Sequence, residues 1–359
     1  MSYSVAIVGA SGSAGSEIAR IVSGHPELEV SALTAASSAG TRFGDLNPHI
    51  PGLADKIIQP TDAAQLAEAD VVFVALPHGQ SAEITGELSA LDGPIIIDAG
   101  ADHRLTSAEA WSQYYGGEYP GAWDYAMPEL IHADEAPALL SGNISKVSKQ
   151  REALKSSKTI AVPGCNVTAV TLAMMPAVAA GFVSAGHLSA TLSVGYSGAG
   201  RSLKPHLMAT SALSNMAPYS AAGKHRHIPE IIQNLQVAGA GQLTLDFTPV
   251  LVPTSRGILA VVNTMLEGVS DQAVQDAYRA AYDAEAFIDV TNGYPQTQPI
   301  LATGKANVWA GVDPHSGSLT AIAAIDNLGK GTASAAVQAA NLALGLDEQT
   351  GIPTIGVAP

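Results

Sequence analysis

The feature that most constrains this chain is a glycine loop near its start, set between a strand and a helix. Residues 4–9, SVAIVG, form a short apolar run typical of a buried strand, and a helical pattern follows directly. Gly9, Gly12 and Gly15 lie between the two, in the spacing G-x-x-G-x-x-G. Glycines here let a pyrophosphate reach the backbone N–H groups at a helix N-terminus, where a Cβ would hold it away. The loop therefore predicts a dinucleotide site. The alternative is a tight strand–helix turn without a ligand, because a glycine trio alone is weak evidence.

The apolar runs that follow the loop extend this pattern. Strand-like stretches at residues 27–34, 70–77 and 93–100 alternate with helical ones, which is typical of parallel strands joined by helices. Runs such as VVFVAL suit strands that are covered on both faces. The first part of the chain is therefore predicted to be α/β, with a Rossmann-type, doubly wound parallel sheet.

After about residue 165 the pattern changes to longer strands of alternating polarity. Examples are HLSATLSVGYSGAG, GQLTLDFTPVLVP, RGILAVVNTML and SLTAIAAIDN, which predict an α+β domain with a mixed or antiparallel sheet. A chain of 359 residues suits two domains. A strong amphipathic pattern at 331–345 places a second boundary nearby. We expect residues 1–164 with 329–359 to form the dinucleotide-binding domain, and 165–328 to form the catalytic and dimerisation domain.

Charge and cysteine content narrow the class of partner. A formal net charge of −15 repels nucleic acid and anionic lipid, so neither is an expected partner. The uncharged run 169–186 is interrupted by Pro176 and glycines, so it predicts a buried helix and not a membrane span. A single cysteine excludes an internal disulfide and favours a reducing compartment, hence the cytoplasm. The basic tract 146–158 is predicted to be a solvated loop or short helix, with a partner site as the alternative.

The loops after the second and third predicted strands would border the cofactor. NAD-selective sites usually place an acidic residue after the second strand, but here the sequence continues as LTAASSAGTR. Ser37 and Ser38 could donate hydrogen bonds to a 2′-phosphate, and Arg42 is near in sequence, so NADP(H) is favoured over NAD. Pro77 and His78 follow the third strand; His78 is expected to be a satisfied loop histidine, with catalysis as the alternative.

The only cysteine, Cys165, follows an apolar run and a Pro-Gly turn, and a helix is predicted to begin near Asn166. A helix N-terminus stabilises a thiolate and lowers the pKa of the thiol. The alternative is a small, inert buried side chain. Beside a nicotinamide cofactor, a nucleophilic thiol indicates attack on an acyl or aldehyde carbon, followed by hydride exchange.

That chemistry needs a proton-handling group and groups that bind anions. The stretch K-H-R-H at 224–227 supplies two imidazoles and two cations just before Pro229, a favoured first-turn residue. A solvated basic turn is the alternative. Arg104 in DAGADHRL and Arg201 in SGAGR could bind a carboxylate or a phosphate. No metal site is expected, since no further cysteine or H-x-x-x-H pair supports zinc.

Together these motifs resemble those of the N-acetyl-γ-glutamyl-phosphate reductase family over essentially the whole chain. The resemblance rests on VAIVGASGSAGSEIARIVSGHP, ALPHGQSAEI, DAGADHRL, VPGCNVTA, SGAGR, AGKHRHIPEI, FTPVLVPTSRGIL and AIDNLGKGTASAAVQAANLALG. It implies a Rossmann domain and an α+β catalytic and dimerising domain, similar to aspartate-semialdehyde dehydrogenase. It also implies NADPH-dependent reduction of an N-acetylglutamyl phosphate through a cysteine thioester, in arginine biosynthesis. The chain departs from the family pattern at Asn166, where an aromatic residue is usual, at His103 and at Ser13.

The resemblance also implies residue roles. Cys165 would be the nucleophile and His225 its acid–base partner, while Arg104 would bind a substrate anion and Asn327 would approach the nicotinamide. The candidate cofactor contacts are Gly9, Ser11, Gly12, Ser13, Ala14, Ser37, Ser38, Pro77, Gly198 and Asn327. The candidate substrate contacts are Arg104, Asn166, Arg201, His227 and Glu230.

The expected partners are a small-molecule acyl phosphate and further copies of the chain, as a homodimer or homotetramer. Two alternatives remain open. The same chemistry could act on aspartyl phosphate or on a carrier-linked aminoadipyl phosphate. A non-enzymatic NADP-sensing regulator would share the glycine loop, but would not need a thiol beside K-H-R-H.

Overall fold

The chain builds two β-sheets, and the first is entirely parallel. The computed structural model describes residues 2–91, 93–137, 148–183, 185–201 and 204–357. The strands of the first sheet are β1 (Tyr3–Val8), β2 (Leu28–Thr34), β3 (Val71–Val74), β4 (Ile95–Asp98), β5 (Asp124–Tyr125) and β6 (Thr159–Ala161). Their order is β2-β1-β3-β4-β6-β5, and every adjacent pair is parallel. The predicted doubly wound parallel sheet is confirmed.

The order of the strands fixes where a ligand can bind. The chain leaves β1 for β2 on one side and then crosses to β3 on the other side. In open parallel sheets, the crevice outside the carboxyl ends of the strands at such a reversal is the usual ligand site. The glycine loop follows β1 directly, so it lies at this crevice.

Helices cover both faces of the first sheet, and one of them comes from the far end of the chain. They are α1 (Ser13–Ser23), α2 (Phe43–Leu46), α3 (Ala63–Leu66), α4 (Ser81–Ser89), α5 (Ala108–Tyr114), α6 (Lys149–Leu154) and α11 (Ser334–Ala343). Val337 of α11 shares one buried cluster with Ile7 of β1 and Ile18 of α1. The last helix therefore completes the core of the first sheet.

The second sheet is mixed, as predicted. Its strands are β7 (Gly186–Gly195), β8 (Ala217–Pro218), β9 (Leu243–Val252), β10 (Ile258–Met265), β11 (Ile288–Val290), β12 (Ala306–Val312) and β13 (Ser318–Ile325). The order is β11-β12-β13-β10-β7-β9-β8, with parallel pairing in β11–β12 and β7–β9 and antiparallel pairing elsewhere. The alternating polarity of β10 puts Ile258, Ala260 and Val262 on a buried face.

The helices of the second half are α7 (Cys165–Ala179), α8 (Ala209–Ala212), α9 (His227–Val237) and α10 (Asp271–Tyr282). Helices α7, α9 and α10 pack against that buried face, whereas α8 buries none of its residues. Every residue of α7 from Asn166 to Ala179 is buried, because a helix that is apolar on all sides has no face suited to water. Residues 169–180 of the uncharged run are thus core. None of the described helices combines the length and apolarity needed to cross a membrane.

The basic tract 146–158 differs from its prediction in the part the structure describes. Helix α6 does form there, but Arg151 is buried and not solvated. It is ion-paired with Glu285 and Glu348. The prediction was wrong for Arg151, because the carboxylates that neutralise this arginine lie far away in sequence. Lys149, Lys155 and Lys158 are exposed, as predicted. Residues 146 and 147 lie outside the described residues.

Arg256 joins the two halves of the molecule. It follows β9, and its guanidinium bonds Asp326 beyond β13 at 2.9 Å and Glu17 of α1 at 2.7 Å. Glu17 and Asp326 are buried. Two carboxylates around one guanidinium hold the glycine-loop helix against the second sheet.

Candidate active site

The glycine loop has the shape that a pyrophosphate requires. Gly9 has φ +77°, and a Cβ there would lie 2.3 Å from the carbonyl oxygen of Ala75. A Cβ at Gly15 would lie 2.3 Å from the carbonyl oxygen of Gly9. Helix α1 begins at Ser13 after Gly12, with no side chain capping its first N–H groups. The backbone donors of this turn, which include Ser13 and Ala14, therefore fit a phosphate.

The end of β2 borders the loop as predicted. The Thr34 carbonyl accepts hydrogen bonds from the N–H groups of Gly9, at 2.9 Å, and Ala10, at 3.0 Å. Beyond it, Ser37 is exposed, and the Ser38 hydroxyl has no hydrogen-bond partner among the described residues. Arg42, which was considered for a 2′-phosphate, instead pairs with Asp55 at 2.5 Å. The two serines remain the candidate 2′-phosphate contacts.

The loop after β3 also reaches the crevice. Pro77 is exposed and follows Ala75, whose N–H donates to the Val8 carbonyl of β1 at 2.9 Å. His78 Nδ1 lies 2.8 Å from Oδ1 of the buried Asp102, which also accepts from the N–H of Gly79 at 3.0 Å. His78 is thus a satisfied loop histidine, as expected.

Cys165 is the first residue of helix α7 and is partly exposed. Gly164 is the N-cap, and a Cβ there would lie 2.5 Å from Nε2 of His227. On the other side, a Cβ at Gly331 would lie 2.9 Å from Cβ of Cys165. Gly331 belongs to a π-helical turn, Gly329–Ala333, and such turns are frequent at functional sites. The cysteine is therefore held between an imidazole and a tightly packed backbone turn.

The predicted low pKa of Cys165 is not what the structure gives. Burial raises the pKa of the thiol above its usual value. The Arg104 guanidinium and the backbone N–H groups of Asn166 and Cys165 favour the thiolate and lower the pKa, but they do not outweigh burial. The helix N-terminus lowers the pKa of the thiol, as expected, but burial raises it by more. The sequence does not reveal how deeply the thiol is buried.

His225 and His227 line the same cavity as Cys165, and their rings meet edge to face at 4.6 Å. His225 Nδ1 accepts the backbone N–H of His227 at 3.1 Å, so the neutral ring carries its hydrogen on Nε2. Burial, and then the charge of Arg226, lowers the pKa of His225 to about 4. Burial, then His225, Arg104 and Arg226, holds the pKa of His227 well below its ordinary value. Both rings are therefore neutral at pH 7, and Arg104 is the charge that favours the thiolate.

Arg104 and Glu230 lie beneath the cysteine turn. Arg104 Nη1 is 3.8 Å from Glu230 Oε2, and its Nη2 donates to the Ala99 carbonyl at 3.0 Å. Glu230 is fully buried, and its Oε1 accepts the Gly164 N–H at 3.0 Å and the Tyr125 hydroxyl at 2.7 Å. Glu230 was predicted to contact substrate; its hydrogen bonds instead hold the turn that presents Cys165.

The cavity in front of Cys165 is cationic. It has a volume of about 550 Å³ and contains Lys204, Lys224 and Arg226 in its wall. No carboxylate lines it in the part of the chain described here. In a chain with 32 acidic and 17 basic residues, this is a site for an anion.

The other wall of the cavity carries neutral polar groups. Asn166, a predicted substrate contact, donates from Nδ2 to the Tyr219 hydroxyl at 3.3 Å. Lys204, His206 and Tyr219 are lining residues that sequence reasoning did not single out. Tyr219 had no signal in its local sequence, since it directly follows β8, an edge strand of two residues.

Two predicted ligand contacts form hydrogen bonds within the protein. Arg201 was predicted to contact substrate, but its guanidinium donates to the Ser11 carbonyl in the glycine loop at 2.8 Å. Asn327 was predicted to approach the nicotinamide, yet its side chain is buried and bonded on both sides. Its Oδ1 accepts the Gly257 N–H at 2.8 Å, and its Nδ2 donates to the Ser197 hydroxyl at 2.9 Å. Asn327 thereby anchors the 3₁₀ turn Tyr196–Ala199, from which Gly198 lines the cavity.

Comparison with known families assigns both halves of the chain. Residues 4–137 match the family described as semialdehyde dehydrogenase, NAD binding domain. Residues 165–327 match the family described as semialdehyde dehydrogenase, dimerisation domain.

Full-length relatives share one name. The N-acetyl-gamma-glutamyl-phosphate reductase of Bifidobacterium animalis is 46% identical, over 99% of this chain and 99% of that protein. The protein of the same name from Saccharopolyspora erythraea is 45% identical, over 100% of both chains.

Solved structures show the same fold at low identity. Aspartate semialdehyde dehydrogenase II from Vibrio cholerae, complexed with ASA, superposes with a TM-score of 0.65 at 16% identity, over 96% of this chain and 99% of that one. The enzyme from Candida albicans, solved with NADP, superposes with a TM-score of 0.62 at 17% identity, over 96% of this chain and 99% of that one.

Proposed function

The chain belongs to the semialdehyde dehydrogenase family, among the N-acetyl-γ-glutamyl-phosphate reductases, and we propose that Cys165 carries its reaction. The reaction is reduction of N-acetyl-L-glutamyl 5-phosphate to the 5-semialdehyde, with release of phosphate, a step in arginine biosynthesis. The observation that carries the proposal is a partly exposed thiol at a helix N-terminus, facing a cationic cavity beside a dinucleotide crevice.

The first step is acyl transfer to sulfur. Cys165 Sγ forms a bond to the acyl carbon, the bond from that carbon to the phosphate oxygen breaks, and the thiol proton leaves with the phosphate. Lys204, Lys224 and Arg226 supply the positive charge that an acyl phosphate with an α-carboxylate requires. These cations attract the substrate and stabilise the charge that collects on the departing phosphate.

The second step is reduction. When bound, NADPH supplies the hydride that reduces the thioester carbon. His225 presents its Nε2–H to the cavity as a donor for the carbonyl oxygen as negative charge develops there. Return of the bonding electrons to Sγ then releases the semialdehyde, and a proton from solvent restores the thiol. Because His225 is neutral, its role is hydrogen bonding and proton transfer, and not charge pairing with the thiolate.

Replacing Cys165 by Ser tests the nucleophile. Phosphate-dependent oxidation of N-acetylglutamate 5-semialdehyde, the reverse reaction, should be nearly abolished. Near-normal turnover in this variant would refute the assignment. Aspartate semialdehyde, assayed with the wild-type enzyme, should be a poor substrate. Equal or better turnover with it would indicate that the enzyme acts on aspartyl phosphate instead.

The role of His225 has a separate test. His225→Gln keeps an N–H donor near the position of Nε2, whereas His225→Ala removes it. The Gln variant should therefore retain more activity than the Ala variant, measured as kcat at saturating substrate. Equal losses in the two variants would show that the imidazole acts in another way.

The absence of an acidic residue after β2 supports a preference for NADPH over NADH. Ser37 and Ser38 are the groups we propose for the 2′-phosphate. The ratio of kcat/KM for the two cofactors measures this preference, and a higher value with NADH would contradict it. A catalytic thiol must also stay reduced, which supports action in the cytoplasm.

A second copy of the chain fits the open face of the second sheet. Trp309, Ile322 and Val261 lie side by side on β12, β13 and β10, and all three are partly exposed on the face opposite Ile258 and Val262. Such an apolar row favours burial against a partner. We propose a homodimer, or a homotetramer built from it, through this face.

Sedimentation measures the assembly directly. The wild type should have at least twice the mass of the chain, and Val261→Asp should shift it toward one chain. Val357→Asp, at an exposed valine elsewhere, is the control. An unchanged mass for Val261→Asp would show that this face does not form the interface between copies of the chain.

A further inference from the structure

Arg201 reaches from the second half of the molecule to the glycine loop of the first. Its Nη1 donates to the Ser11 carbonyl at 2.8 Å, and its Nη2 lies 3.1 Å from Asn47 Oδ1 and 3.3 Å from Ser16 Oγ. Ser11 is in the loop between β1 and α1, and Ser16 is in the first turn of α1. The guanidinium is therefore placed at the rim of the pyrophosphate cradle.

All three of these contacts are with neutral atoms. Among the described residues, no carboxylate lies within ion-pair distance of Arg201. By contrast, the nearby Arg256 is paired with Glu17, and Arg104 faces Glu230. A guanidinium that is placed by neutral acceptors keeps its charge available for an anion.

We propose that Arg201 binds the pyrophosphate of the cofactor, together with the N–H groups at the start of helix α1. This inference rests on the cofactor site proposed above. The planar guanidinium can donate hydrogen bonds to two phosphate oxygens at once. The helix N-terminus adds backbone N–H donors at the positive end of the helix dipole. Arg201 contacts the glycine loop itself, whereas the 2′-phosphate candidates follow β2. The pyrophosphate is thus the part of the cofactor it would reach.

The position of Arg201 also couples the cofactor to the cavity. It follows the turn Tyr196–Ala199, whose Gly198 and Ala199 line the cavity beside Cys165. A pyrophosphate that holds Arg201 therefore holds the segment forming one wall of the substrate site. Any gain in substrate affinity on cofactor binding must be matched by an equal gain in cofactor affinity when substrate is bound.

Equilibrium titration of NADPH and of NADH, followed by their fluorescence, tests the inference without turnover. Arg201→Gln should weaken both cofactors by roughly tenfold to a hundredfold, because each contains the same pyrophosphate. Arg201→Lys, which keeps the charge without the fork, should lose less. Arg279→Gln removes the same charge from α10, far from the loop, and should bind both cofactors like the wild type.

A smaller probe separates this site from the rest of the cofactor pocket. Adenosine 2′-monophosphate carries the 2′-phosphate but no pyrophosphate, so its affinity should be unchanged in Arg201→Gln, which also shows that the variant is folded. Weakening of NADPH alone would assign Arg201 to the 2′-phosphate and overturn the inference. Less than a threefold change with both cofactors would overturn it as well. Failure of the wild type itself to bind NADPH would instead refute the proposed function.

Discussion

Single residues decide how Cys165 ionises, and they act in opposite directions. Burial raises the pKa of the thiol, while Arg104 and two backbone N–H groups lower it, and the outcome lies above the usual value. His225, with a pKa of about 4, contributes no positive charge near neutrality. The free enzyme therefore rests with a thiol and not with a thiolate–imidazolium pair.

The rate of alkylation of Cys165 by iodoacetamide should report this state. Only the thiolate reacts, so the rate should rise with pH and have its midpoint above the ordinary cysteine range of about 8.5. No inflection should appear near 6.5, because both histidines are already neutral there. The chain has one cysteine, so labelling of the whole protein, read by mass, measures this site alone. A rate that is already level at pH 6 would show a thiolate–imidazolium pair and contradict the expectation.

At the scale of elements, the π-helical turn Gly329–Ala333 packs closely against the first residue of α7. Gly331→Ala would place its Cβ 2.9 Å from Cβ of Cys165, closer than real side chains pack. The cysteine would have to move, and a displacement of about 1 Å can cost on the order of a hundredfold in rate. We expect kcat to fall by at least tenfold, with about 1–3 kcal/mol of lost stability from the overpacked site.

Gly86→Ala is the matched control for this substitution. Gly86 lies inside α4, and a Cβ there would have no neighbour within 4 Å. The variant should keep full activity and gain about 0.5–1 kcal/mol in unfolding free energy, because alanine narrows the unfolded ensemble. Full activity in Gly331→Ala would show that the turn does not position the nucleophile.

Most elements could be predicted from the sequence, because their patterns are local. Apolar runs predicted the central strands of the first sheet, and alternating polar and apolar residues predicted the long strands of the second. The P-G-C turn predicted the start of α7 to within one residue. The π-helical turn could not be predicted, since the residues that it packs against, Cys165 and Thr303, lie elsewhere in the sequence. The role of Glu230 was missed for the same reason: its partners, Gly164 and Tyr125, come from distant segments. The sequence indicated which basic residues could bind an anion. It did not reveal which of them are already paired with carboxylates in the folded protein.

For the molecule as a whole, Arg256 links the two halves through two ion pairs. Its partners Glu17 and Asp326 belong to different halves, and both are buried. Arg256→Gln leaves the buried Asp326 without its cation and leaves Glu17 with Arg20 as its remaining cation, which costs about 3–5 kcal/mol. Urea unfolding should show a loss of this size, while Arg279→Gln should be nearly neutral. A loss below about 1 kcal/mol would mean that the other contacts between the halves, which include the Arg201 hydrogen bonds, are enough to hold them together.

We propose that these halves are two domains. The first comprises residues 1–164 together with 329–359, and the second comprises residues 165–328.

The return of α11 to the first sheet has a consequence for biogenesis. Ala336, Val337 and Ala340 fill the core that β1 and α1 begin, yet they follow the whole second half in the sequence. During synthesis, the first half therefore keeps part of its apolar interior uncovered until the ribosome has passed through the second half. Assembly of the nucleotide crevice is thus a late event in folding, and such exposed apolar surface favours aggregation until α11 is in place.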